Sequence, residues 1–224
     1  MVFDMAGTTV DEDNLVYKTV RKAVQRAGHE VSLETVLAHA AGKEKLQAIR
    51  DVLAVAAAGQ ATEELARMAY LDFVQLLGTA YAENAAKPMP GAELVFQELK
   101  AHGVSVVLNT GYSRAVAQQL LEQLGWVGHP LIDLVVTADD VQRSRPHPDM
   151  IFFAMEKLGI ADAKSVGKIG DSIVDIEEGL NAGCGLVAGI TTGAQTAEQL
   201  RSANPTHVFD SLEGLLETAY FFQT

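Results

Sequence analysis

Apolar positions along this chain fall into two textures. Between residues 12 and 86 they recur at helical spacing, and no strong strand interrupts them. Over residues 15–27 the stripe is Leu15, Val16, Thr19, Val20, Ala23, Val24 and Ala27, and Gly28 follows as a C-cap. Ser32 is placed to cap a helix over residues 33–41. Gly42 breaks that helix, and the spacing predicts another over residues 45–58. Thr62 caps a long helix through residue 76. Lys87, Pro88, Met89, Pro90 and Gly91 then form a stiff run of breakers.

From Gly91 onward the texture alternates. Helices are expected over residues 92–101, 113–124, 149–158, 173–181 and 195–201. Short apolar strands separate them over residues 104–109, 134–137, 165–169, 185–190 and 206–209, before a last helix. Such alternation builds a parallel sheet with helices on both faces. The opening pair Val2 and Phe3, followed by Asp4, must join that sheet, so the helical stretch is an insertion after the first strand. The expected fold is α/β: a Rossmann-like, doubly wound parallel-sheet core with an inserted helical cap domain. The core is assigned to residues 1–11 plus 88–224 and the cap to residues 12–87.

Composition narrows the function classes. A chain of 224 residues suits one large or two small domains, and 48% apolar residues suffice for a core. There are no internal repeats, and no apolar run reaches the roughly eighteen residues of a membrane span. No basic segment precedes an apolar one, which argues against a secretory signal. The single Cys184 excludes an internal disulfide and fits a reducing cytoplasm. A net charge of −12 argues against nucleic acid and anionic membranes as partners. Any anionic substrate must therefore meet a local cluster of cations. The chain starts almost inside its first strand, so a trimmed natural N-terminus is expected.

Four segments carry candidate chemistry. In the first, Asp4-Met5-Ala6-Gly7-Thr8-Thr9-Val10-Asp11, a carboxylate ends a buried strand and a turn follows. Ligands of open α/β sheets bind outside the carboxyl ends of strands. An Asp there can be a nucleophile or a ligand for a hard cation, though an ordinary Asp-Gly type turn has the same look. Ala6 stands where a second carboxylate would do acid/base work. The second is Asn109-Thr110-Gly111-Tyr112, where a hydroxyl and the N–H groups opening a helix make either a phosphate cradle or a plain helix-capping turn. The third runs from Asp139 to Asp149. Arg145, pinned ahead of Pro146 and Pro148, is a cation to neutralise phosphate, and Arg143 competes without a proline neighbour. His147 between the prolines reads as solvated. The fourth is Gly170-Asp171-Ser172-Ile173-Val174-Asp175. Its two aspartates can aim at one cation, although an acidic helix N-terminus also accounts for them.

Taken in order, these segments resemble the four motifs of the haloacid dehalogenase (HAD) superfamily of aspartate-nucleophile hydrolases. With Ala6 in the third place, the first resembles the phosphonatase branch, as do Thr110-Gly111-Tyr112 and Arg145-Pro146-His147-Pro148. The match spans about 170 residues, in step with the strands, and Asn181-Ala182-Gly183 continues it. The resemblance implies that Asp4 is the nucleophile and that Thr8 orients it. Thr110 and Arg145 then hold the transferring phosphoryl group, and Gly111 and Tyr112 bind substrate. It implies Mg²⁺ held by Asp4, the backbone oxygen of Ala6 and Asp171, with Asp175 behind them or bound through water; all-oxygen donors suit that ion.

The phosphonatase branch also has a cap lysine that forms a Schiff base with the substrate's aldehyde. Its pattern is Met-Gly-x-x-Lys, then His three places later and Arg two after that. Here Gly42, Lys45 and Arg50 match, the last as a substrate-binding residue, while Ala41 and Ala48 replace the Met and the His. A Schiff-base lysine must be partly neutral. Lys43 is expected to help by repulsion and Glu44 to oppose it. Lys45 as a solvated cation in a helix first turn stays open as the alternative. Two enzymatic readings follow: cleavage of the C–P bond of phosphonoacetaldehyde or a related small phosphonate through an aspartyl-phosphate, or a phosphatase for a small phosphorylated metabolite. Haloacid dehalogenation fits less well, because it has no use for the metal carboxylates. A binding module would show no turnover. Helical caps of this family are similar to dimer-forming surfaces, so a homodimer is expected.

Overall fold

The computed structural model describes residues 1–59 and 61–218. The chain opens with β1 (Val2–Asp4), turns, and forms the short β2 (Val10–Asp11). Four helices follow: α1 (Leu15–Arg26), α2 (Leu33–Ala40), α3 (Lys45–Ala56) and α4 (Glu63–Glu83). The chain returns through β3 (Lys87–Pro88) and then alternates. Next come α5 (Ala92–Ala101), β4 (Val107–Thr110), α6 (Arg114–Leu124) and β5 (Leu134–Thr137). After these lie α7 (Asp149–Leu158), β6 (Gly167–Gly170), α8 (Ile173–Ala182), β7 (Leu186–Ile190), α9 (Ala197–Ser202) and β8 (His207–Phe209).

Six strands make one parallel sheet in the order β5-β4-β1-β6-β7-β8. Its strands alternate by twos between two covered faces. Val2, Val107 and Val136 turn to Met150, Ile151 and Ala154 of α7. Phe3, Leu108 and Ile169 turn to the other core, with Val95, Phe96 and Leu99 of α5 and Leu120 of α6. Phe3 and Phe96 meet at 5.5 Å between ring centroids. Each such buried side chain contributes roughly 1.5–3 kcal/mol.

The first four helices pack on one another, α1 against α2 and α4, and α3 against α2 and α4. Their apolar stripes run on into the core on the α5 face. Ser32 and Thr62 accept the backbone N–H groups of Thr35 and Leu65, so both expected N-caps form. The helical stretch is entered and left through a two-stranded antiparallel ribbon, Val10 opposite Pro88 and Asp11 opposite Lys87.

Some expectations needed correction. α4 runs through Gly78 to Glu83, because Leu77 and Tyr81 extend the buried stripe past that glycine. The ribbon strand β3 lies within the run of breakers. Its pairing is too short for alternation to register, and Pro88 sits at an edge where no ladder donor is needed. β4 begins at Val107 rather than at residue 104, since the N–H of Val106 goes to the Asp133 carboxylate instead of a strand. Of the last expected helix, Leu212–Glu217 is a 3₁₀ turn, and residues 219–224 lie outside the described residues. No helix among the described residues is long and apolar enough to cross a membrane.

Candidate active site

Three adjacent strands deliver the candidate residues to one end of the sheet. Asp4 ends β1 opposite Asn109, Thr110 ends β4, and Asp171 follows the last residue of β6. The loop after Asp4 is tight: the N–H groups of Thr8, Thr9 and Val10 all donate to the carbonyl of Met5, at 3.2, 2.8 and 2.8 Å. Gly7 holds φ +85° there, and a Cβ on it would sit 2.5 Å from an Asp171 oxygen. Only glycine lets the loop lie this close to the second carboxylate. The turn leaves Ala6 and Thr8 buried beside Asp4.

Carboxylate oxygens of Asp4, Asp171 and Asp175 lie within 4.8 Å of one another, and all three side chains are buried. Two buried cations answer them. Arg145 donates to Asp4 at 2.7 Å and also to Asp175. Lys168 Nζ lies 2.8 Å from Asp175 and 3.1 Å from Glu178, and donates to Asn109 Oδ1 at 2.6 Å. Burial pushes Asp4 and Asp171 up from the usual carboxylate range, and neighbouring aspartates push Asp171 further. Burial acts on Asp175 in the same sense, but Arg145 and Lys168 outweigh it and hold that group below the range. Four buried carboxylates thus face two buried cations, an excess of two acidic groups. Unpaired buried charge is costly, and a divalent cation with hard-oxygen preference fits the deficit in both charge and donor type. Thr8 Oγ1 and Arg145 Nε are buried with no hydrogen-bond partner among the described residues, as expected of groups that face a ligand.

A different chemistry faces this cluster from the helical insertion. The loop at Gly42 presses on the core: its N–H donates to Tyr17 Oη at 3.1 Å, and a Cβ there would strike Ser172. Lys45 is the first residue of α3, with Glu44 capping that helix. Its side chain is only 6% exposed, its Nζ donates to the Lys43 carbonyl at 2.6 Å, and no carboxylate pairs with it among the described residues. The ammonium sits 4.9 Å from the Tyr112 ring centroid and 5.4 Å from that of Tyr17. Burial, with Arg145 as the nearby cation, brings its pKa down from 10.5 to about 8. The start of a helix adds to this, because its dipole opposes a positive charge. Next to it, Glu12 accepts from Tyr81 Oη at 2.8 Å and Tyr112 Oη at 3.3 Å. Burial pushes the Glu12 carboxyl up to about 7.

The structure gathers Asp4, Ala6, Thr8, Asp171, Asp175 and Arg145 at one point, with Thr110, Gly111 and Tyr112 on the adjoining strand end and Lys45 over Tyr112. Thr110 Oγ1 accepts the Tyr112 N–H at 3.2 Å, which fixes that turn. Arg50 is not brought to the group: its guanidinium is engaged by Glu63 at 2.6 and 2.9 Å. Arg143 pairs with Asp149 rather than with the cluster. The expected help from Lys43 is also absent, because Asp51 pairs with its ammonium at 2.6 Å; Arg145 supplies the repulsion instead. Sequence reading missed Lys168, Glu178 and Glu12, and gave Asn109 a place in the second segment but no partner. A lysine inside an otherwise apolar parallel strand was the available signal for the first, since such a residue must be paired. Glu178 lies one turn after Asp175 on α8, but Glu12 carried no mark in the sequence.

Comparison with known proteins agrees with this geometry. The family model for haloacid dehalogenase-like hydrolases matches residues 1–183. A phosphonoacetaldehyde hydrolase from Bordetella pertussis is 34% identical over 203 residues, covering 86% of this chain and 72% of that protein. Among solved structures, a phosphonoacetaldehyde hydrolase-like protein from Oleispira antarctica superposes with a TM-score of 0.80 at 25% identity, over 96% of this chain and 88% of the other. A hydrolase from Pseudomonas syringae has a TM-score of 0.83 at 20% identity, over 96% and 95% of the two chains, and shares the fold.

Proposed function

The chain belongs to the haloacid dehalogenase-like hydrolases, and on that footing we propose that it cleaves the C–P bond of a small phosphonate bearing a carbonyl group, such as phosphonoacetaldehyde. Residues 1–11 plus 88–224 form the catalytic core in this reading, and residues 12–87 the cap. The observation that carries the proposal is Lys45: a buried amine with no carboxylate paired to it among the described residues, its pKa lowered to about 8, on the cap side of a carboxylate cluster. Ala6 supports it, because the position two after Asp4 carries no acid to protonate an alkoxide leaving group.

The neutral Lys45 amine condenses with the substrate carbonyl and releases water, forming an imine. An oxygen of Asp4 attacks phosphorus in line, and the C–P electron pair passes into the protonated imine to give an enamine. Arg145 and Thr110 hold the phosphoryl oxygens as charge spreads over them. The enamine takes up a proton, and water frees the carbonyl product from Lys45. A second water splits the aspartyl-phosphate, so one water is consumed overall. Asp4, the Ala6 carbonyl and Asp171 would hold Mg²⁺, which would supply positive charge against the phosphoryl oxygens. Tyr17 and Tyr112 flank the amine, and the pressed loop at Gly42 keeps bulk water away from it.

The test compares two substrates in one variant. Lys45→Ala should lose turnover of phosphonoacetaldehyde and keep that of p-nitrophenyl phosphate, whose leaving group needs no imine. Unchanged phosphonoacetaldehyde turnover would contradict the proposal. Turnover of simple phosphate esters alone would make the protein a phosphatase in which Lys45 only binds substrate.

A further inference from the structure

A cavity of about 320 Å³ opens beside Lys45, between α4 and the start of α6. Lys45, Gly111 and Tyr112 form one end of it. The rest of the wall is largely apolar, built by Tyr70, Phe73, Val74 and Leu77 of α4 and by Val116 of α6. A two-carbon aldehyde needs only a small part of this space, and cavities of such volume hold ligands of drug-like size.

Gly78 is a second and independent pointer. It stands in the interior of α4, where glycine costs helix stability, and its φ is ordinary. A Cβ placed on it would meet nothing within 4 Å, so no close packing calls for glycine. Yet Gly78 lies on the cavity wall, one turn from Val74 and beside Leu77. Glycine there leaves that stretch of the wall without a side chain. Val74, on the same wall, is 49% exposed, an apolar surface left uncovered by the described residues.

We infer that this cavity binds the organic part of the substrate, and that this part is an apolar group larger than two carbons, an alkyl or aryl chain attached to the carbonyl that reaches Lys45. This rests on the proposed carbonyl-phosphonate reading and narrows it to 2-oxoalkyl or 2-oxoaryl phosphonates. The cavity's end at Lys45 and Tyr112 meets the carbonyl, while the α4 wall covers the chain. Tyr112 is held in place for this by Glu12, which accepts its phenol at 3.3 Å.

Binding of inert phosphonates tests the inference apart from catalysis. Methyl-, butyl- and 2-phenylethylphosphonate have no carbonyl and form no imine. Calorimetry with the magnesium-loaded protein should show affinity rising by about fourfold per buried methylene. Gly78→Leu should remove most of that rise while leaving methylphosphonate and inorganic phosphate binding unchanged. Val74→Asp, at an exposed position that tolerates charge, should weaken the longer ligands alone. A flat series alongside normal phosphate binding would overturn the inference and leave the catalytic reading standing. A rise that persists in both variants would place the chain elsewhere and overturn it too. Failure of inorganic phosphate itself to bind would remove the anion site, and the proposed function with it.

Discussion

The two sides of the candidate active site solve opposite electrostatic problems. On the core side, four carboxylates and two cations crowd into buried space; Asp4, Asp175 and Glu178 pair with Arg145 or Lys168, and among the described residues Asp171 accepts only the backbone N–H of Ala194. On the side of the helical insertion, one amine is buried between aromatic rings, with no carboxylate paired to it among the described residues. The core's problem is an excess of acidic groups, which suits a metal cation, and an anionic phosphoryl group is met there by Arg145. The cap's problem is a charge that burial disfavours, which suits a neutral nucleophile. In the proposed reaction, phosphorus chemistry falls to the strand ends, and choice of the carbon skeleton to the insertion.

Separate damage to the two sides sharpens this contrast. The largest effect is expected from Asp4→Asn, which should cut turnover of every substrate by roughly 10⁴-fold or more while the circular dichroism of the fold stays unchanged. Wild-type-like rates would remove the nucleophile assignment. Chelation of divalent ions should likewise silence all substrates, with recovery on adding Mg²⁺; chelator-resistant turnover would undo the charge argument for the carboxylate cluster. Lys45→Ala should be selective, with activated aryl phosphates kept within about tenfold of wild type. Parallel loss on both substrate classes would mean that the two sides are not separable.

Smaller effects are read from pH. The Lys45 amine must be neutral to attack, so imine formation should rise with pH through about 8. The same group is linked to stability. Its folded pKa is lowered from 10.5, so its contribution is present above 10.5 and lost as pH falls through about 8. Lys45→Met should therefore raise the melting temperature at pH 7, by at most about 3 kcal/mol in free energy. A lower melting temperature would contradict the buried, unpaired amine. Glu12 has the opposite linkage. Its folded pKa is raised from 4.5, so its contribution is present below 4.5 and lost as pH rises through about 7. Glu12→Gln should flatten the pH dependence of melting between those values, and an unaltered profile would show that Glu12 does not titrate there.

Much of the core was legible in the sequence because its signals are local. A strand-end Asp, a Thr-Gly turn, an Arg before prolines and a paired Asp motif each sit within a few residues and follow the strand rhythm. The ribbon of Val10–Asp11 and Lys87–Pro88 was not legible, since its partners are far apart in the chain and each strand is two residues long. Lys168 was passed over because a single lysine in a strand looks like a surface break, and only the fold brings Asp175 and Glu178 to it. Glu12 depends on Tyr81 and Tyr112, which are 69 and 100 residues away, so local pattern could not reveal it. The cation next to Lys45 was misread for the same reason: Lys43 is near in sequence, but Arg145 acts on the amine in space.

The most direct measurement is borohydride reduction of the working protein in the presence of phosphonoacetaldehyde, followed by peptide mass mapping. The account predicts irreversible inactivation, with the reduced two-carbon adduct on Lys45 and none in Lys45→Ala. Full activity after reduction, or an adduct confined to other lysines, would contradict it.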